Sequence, residues 1–76
     1  MNKLPILTGL EIIKALEKNG FIIIRQKGSH VFLRQKNDNR TTIVPIHKGK
    51  DIDRSLLSKI LNDAGLSIEE FIKKNK

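Results

Sequence analysis

The chain has no cysteine, no tryptophan and no tyrosine, and holds three phenylalanines and two prolines among 76 residues. Without cysteine there is no disulfide and no thiolate ligand for a structural zinc, so covalent or metal staples are excluded as supports for so small a core. Aliphatic side chains, chiefly Ile and Leu, must supply that core. Long apolar runs are missing as well. The longest span a few residues, far below the roughly 20 needed to cross a bilayer. The opening MNKLPILTG lacks the apolar stretch and small-residue cleavage site of a secretory signal. The expectation is one soluble, cytoplasmic domain over residues 1–76, with a modest fraction of its surface buried.

Several motifs are absent. There is no GxGxxG and no GxxxxGK[ST], so a nucleotide-phosphate loop is not expected. There is no GXXG loop and no pair of strand aromatics, the marks of KH and RRM modules. No DxD or ExxH group joins the eight carboxylates to a histidine, so no metal site and no cofactor is expected. Asp51 and Asp53 read as helix-start acids favoured by the macrodipole.

Acidic residues are scarce in one segment. The formal net charge is +7. Between Phe21 and Lys50 there are seven cations (Arg25, Lys27, Arg34, Lys36, Arg40, Lys48, Lys50) against Asp38 alone, a balance of +6. The remainder, with eight cations and seven acids, contributes +1. Charge gathered in one segment attracts phosphate backbones by Coulomb steering and counterion release. A polyanion is therefore favoured as a partner over a merely solvated surface, with an acidic protein as the other choice.

Local patterns give the elements. Thr8 to Glu11 has the capping-box form, and Leu10, Ile12, Ile13 and Leu16 recur at helical spacing until Asn19-Gly20 stops the helix. Phe21 to Lys27 is rich in β-branched residues and reads as a strand. His30 to Gln35 alternates, with His30, Phe32 and Arg34 on one face and Val31, Leu33 and Gln35 on the other. The alternation does not say which face is core. Phe21, Phe32 and Phe71 are all assigned to the core. Lys36 to Arg40 is a polar loop and Thr41 to Ile46 a third strand, at an edge or ending at Pro45, which has no amide donor. His47 to Ile52 reads as a loop. Asp53 caps a second helix with the stripe Leu56, Leu57, Ile60, Leu61 and Ala64, stopped by Gly65. Ser67 to Glu70 opens a short last helix. The order α-β-β-β-α, plus a short α, predicts an α+β two-layer fold: a three-stranded antiparallel sheet with helices on one face. That order matches the topology of double-stranded RNA-binding domains.

Gly28-Ser29-His30 is the candidate site. Gly-Ser between two strands reads as a tight hairpin turn, because glycine reaches positive φ without strain. It places His30 beside Arg25, Lys27 and Arg34. An imidazole exchanges protons near neutral pH. RNA cleavage by its own 2′-hydroxyl needs a base for that proton, an acid for the departing 5′-oxygen and cations for the charge on phosphorus. His30 fits the base or acid. Lys27 and Arg25 fit the phosphate, and the Gly28 and Ser29 amides are further donors. Ser29 is a weaker candidate as a nucleophile, having no nearby carboxylate to complete a triad. His47 ends the third strand, where antiparallel pairing brings it toward His30, as a possible second participant or a plain loop histidine. Arg25, Lys27, Arg34, Lys48 and Lys50 are the expected RNA-contacting cations.

The series Leu16-Glu17-Lys18-Asn19-Gly20-Phe21, Arg25-Gln26-Lys27-Gly28-Ser29-His30, Val44-Pro45-Ile46-His47, Leu57-Ser58-Lys59-Ile60-Leu61 and Ala64-Gly65-Leu66 resembles the HicA toxin family of toxin–antitoxin modules. The resemblance spans Leu10 to Phe71. It implies a double-stranded RNA-binding-like fold and a metal-independent mRNA interferase, with His30 as catalytic histidine. It also implies a HicB-type antitoxin that covers the site, the free toxin being monomeric and the complex hetero-oligomeric. Loop 36–40 departs from the family in lacking a glycine. Two rival readings are a non-catalytic RNA-binding domain and a basic protein-interaction domain.

Overall fold

The structure, a computed structural model, describes residues 6–47 and 49–74. A two-residue strand, β1 (Leu7–Thr8), leads into helix α1 (Gly9–Lys18). The capping box closes α1 from both sides. Glu11 donates its amide to Thr8 Oγ1 at 3.3 Å, and Thr8 donates its amide to Glu11 Oε1 at 2.9 Å. Each bond satisfies a donor that the first turn leaves free. Ile12, Ile13, Ala15 and Leu16 face inward and are buried. Leu10 does not join them: it lies to the side of that arc and is 57% exposed, which removes it from the expected stripe.

Strands β2 (Phe21–Lys27), β3 (His30–Gln35) and β4 (Thr41–Pro45) form one antiparallel sheet in the order β2-β3-β4. This is the α+β fold expected, with β4 at an edge. Phe21, Val31, Leu33, Gln35, Thr42 and Val44 are its buried residues, which makes the Val31 face the core side. Its two buried polar side chains each have a partner. Gln35 Nε2 donates to the Asn19 carbonyl at the end of α1, at 3.1 Å. Thr42 Oγ1 donates to the Ile60 carbonyl at 3.2 Å. Hydrogen bonding offsets the cost of burying such groups, and here it also ties the sheet to both main helices.

The stretch expected as a loop after β4 ends in a second short strand, β5 (Asp51–Ile52), paired antiparallel with β1. Ile52 is buried, and its anchorage explains why this segment is extended. Helix α2 (Arg54–Ala64) follows, capped by Asp53, whose carboxylate accepts the Leu56 amide at 2.9 Å. Gly65, at φ 69°, ends it. Leu57, Ile60, Leu61 and Ala64 are buried, whereas Leu56 is half-buried. Helix α3 (Ile68–Lys74) opens on the Ser67–Glu70 box and seats Phe71 in the core, beside α1. No helix among the described residues is long and apolar enough to cross a membrane.

Candidate active site on the open sheet face

Lys27 and His30 are direct cross-strand partners, so Gly28-Ser29 is a two-residue hairpin loop. Gly28 has φ 59° and no described non-glycine residue has positive φ. Positive φ at the first central position alone is the type II′ pattern, whose twist suits a hairpin. Gln26 Nε2 donates to the Gly28 carbonyl at 3.1 Å and steadies the turn. Ile46 donates its amide to the Ser29 carbonyl at 2.6 Å and binds the turn to the end of β4.

A β-bulge decides what surrounds His30. The register runs Ile23↔Leu33 and then Arg25↔Phe32, leaving Ile24 as the extra residue. In a regular seven-residue strand, Phe21 and Lys27 would share a face, because side chains alternate with period two. One extra residue reverses the second half of the strand. Phe21 thus enters the core while Arg25 and Lys27 turn outward, opposite Phe32 and His30. The open face then carries Arg25 and Lys27 from β2, His30, Phe32 and Arg34 from β3, and Thr41, Ile43 and Pro45 from β4.

Phe32 corrects an expectation. It lies on the open face and is half-buried, with the Arg25 guanidinium 5.1 Å from its ring centroid. Such a cation–π contact holds the arginine over the sheet. The scarcity of aromatics is what points Phe32 to the core. Its alternation with Val31 and Leu33 places it outside.

The structure therefore groups His30, Arg25, Lys27 and Arg34 on one face, with Gly28 and Ser29 at its end. His30 is exposed and pairs with Pro45 on its other side. His47 is also exposed and follows Ile46, whose amide is bonded to the Ser29 carbonyl. Lys50 lies in the turn after β4, where its amide donates to the His47 carbonyl at 2.9 Å, and is not part of the sheet face. Lys48 lies outside the described residues. Among the described residues no three His, Cys, Asp or Glu side chains gather as a metal nest.

Two features escaped the sequence reading. Arg40, one of the seven cations of the middle segment, is bound within the fold. Its Nε donates to Asp38 at 3.0 Å, and its Nη1 donates to the Ala64 and Gly65 carbonyls at 3.0 and 3.3 Å. A cation at a helix C-terminus meets the negative end of the macrodipole. Asp38 is held below the ordinary carboxylate range by its side-chain hydrogen bond to Arg40, and the Arg40 amide adds to this. This clasp shapes loop 36–40, which holds no glycine. The second feature is a cleft of about 260 Å³ at the β4 edge of the sheet, where the rim of the open face meets α2. His30, Ile43 and Pro45 form one wall, and Leu56, Lys59, Ile60 and Asp63 the other. The helical spacing of the last four, one face of α2, was the signal available.

These features define a small basic α+β domain with one open, histidine-bearing sheet face. Residues 9–66, more than half of the chain, match the family described as the HicA toxin of bacterial toxin–antitoxin, and the chain belongs to that family. It is thus the toxin of a toxin–antitoxin pair. A comparison with curated proteins finds no match.

Proposed function

We propose that this toxin is an mRNA endoribonuclease that inhibits translation, with His30 as its general acid or base and no metal in the reaction. The supporting observation is the joint placement of His30, Lys27, Arg25 and Arg34 on one open face, produced by the bulge at Ile24. RNA laid across this face meets cations that neutralise its phosphates. In the reaction the 2′-hydroxyl loses its proton to a base and the O2′–P bond forms. The P–O5′ bond then breaks, and O5′ takes a proton from an acid. The products are a 2′,3′-cyclic phosphate and a 5′-hydroxyl. His30 serves one of the two proton transfers. His47, past the Ile46–Ser29 bond, is the candidate for the other. Lys27 and Arg25 hold the phosphate, with the amides of Gly28 and Ser29 as further donors, and Arg34 extends the path for the chain.

The partner on this reading is a HicB-type antitoxin that covers the same face. Acidic or carbonyl groups on it would meet the charge that draws phosphate, so inhibition and substrate binding compete.

Inducing the gene without its antitoxin tests the proposal. The wild-type chain arrests growth and depletes mRNA. His30→Ala does neither, while its stability stays within about 0.5 kcal/mol of wild type because the side chain is exposed. Arrest by a folded His30→Ala protein would remove His30 from the reaction.

A further inference from the structure

His30 lines one end of the cleft at the β4 edge, and the other lining residues have no part in the proton transfers. Its apolar lining residues are Ile43 and Pro45 on the sheet and Leu56 and Ile60 on α2. At about 260 Å³ it falls just below drug-sized sites of about 300–1,000 Å³. An apolar lining around that volume suits a single flat heterocycle.

Polar groups lie on the α2 side. Lys59 Nζ is 3.3 Å from Asp63 Oδ2, and their side chains are 71% and 45% exposed. An ion pair that wet contributes little to stability. The pair also runs against helix rules. Asp63 lies in the last turn of α2, where the macrodipole disfavours negative charge, and a lysine preceding its acid by four residues is the weaker orientation. Polar groups so exposed and so weakly paired are open to a ligand. Lys59 offers a donor and Asp63 a paired acceptor.

We infer that this cleft is a base-recognition subsite for an unpaired guanine of the RNA, beside the bond to be cut. This rests on the ribonuclease reading for its biological meaning, but the binding step stands apart from cleavage. A guanine presents an acceptor, O6, next to the donors N1–H and N2–H₂. Lys59 meets the acceptor and Asp63 the two donors. The base then lies between the β4 and α2 side chains, and its sugar-phosphate leaves the cleft at His30. Adenine, cytosine and uracil do not offer that order of groups.

Wild-type protein is titrated with 2′-O-methyl RNA trinucleotides carrying central G, A, C or U, while methyl signals are followed by NMR. Lacking the attacking hydroxyl, these ligands report binding alone. The central-G ligand shifts the Ile43, Leu56 and Ile60 methyls and binds about tenfold tighter than the others, the lower part of the range for one bidentate base contact. Asp63→Asn removes that preference and leaves contacts at Arg25 and Arg34 in place. Cleft methyls that no RNA moves, or that only an antitoxin moves, overturn the inference. So do four bases bound equally by both proteins. A parallel cleavage assay separates the two claims. Cleavage without cleft shifts leaves the ribonuclease reading standing and ends this one, whereas cleft shifts without cleavage do the reverse.

Discussion

Gly28 carries the conformational demand of the site. Its φ of 59° is one that L side chains adopt only with strain, and a Cβ placed there has nothing within 4 Å. The cost of Gly28→Ala is thus purely backbone, about 1–2 kcal/mol by urea unfolding. The proposed RNA cleavage falls further than that, because the Lys27–His30 pairing depends on the turn. Arg40 and Asp38 act on stability instead. Arg40→Ala loses the bonds to the last carbonyls of α2 and destabilises by about 1–2 kcal/mol. Asp38 is held below its ordinary value of 3.8 by Arg40, so its contribution is present above that value. It is lost as pH falls through the lower folded-state value. Acid unfolding of Asp38→Asn therefore shows less loss of stability below about pH 4 than wild type does. An identical acid limb in both proteins would remove the clasp from the account.

Gly9 governs how the elements meet. A Cβ there would strike the Pro45 carbonyl oxygen and lie 3.3 Å from the Ile46 Cα. Both are backbone atoms and cannot step aside as a flexible side chain would. The first turn of α1 thus sits directly on the end of β4, the segment whose Ile46 amide holds the Ser29 carbonyl. Gly9→Val is expected to destabilise by about 1–3 kcal/mol as an overpacked contact. It should also shift the amide signals of Ile46 and Ser29, which a remote helix defect would not do. Much of this scale was legible in the sequence. Both capping boxes, the Asn19-Gly20 stop, the Gly28-Ser29 turn and the Asp53 cap each need only three or four adjacent residues, and all are present. The bulge at Ile24 was not legible. It arises from the conflict between Phe21 seeking the core and the hairpin register at Lys27, and three successive isoleucines give no local mark of it. The β1–β5 pair was also missed, since two-residue strands are fixed by their partners.

Across the whole molecule, charge and shape divide the labour. The helices cover one side of the sheet, and the cations of β2 and β3 line the other. The concentration of positive charge in the middle segment was visible in the sequence, but its use was not: Arg40 is spent on α2, whereas Arg25 and Arg34 face outward. RNA affinity should therefore fall steeply with salt, and Arg25→Ala and Arg34→Ala should each reduce the slope of log K against log salt by about 0.7. Equal slopes in all three proteins would place the RNA elsewhere. The position of His30 on this face is the centre of the account. The most direct test incubates purified wild-type and His30→Ala proteins with labelled single-stranded RNA in EDTA and analyses the fragment ends. The account predicts fragments ending in 2′,3′-cyclic phosphate from the wild type and intact RNA from His30→Ala. Equal cleavage by both, or RNA shifted yet uncut by the wild type, would contradict it.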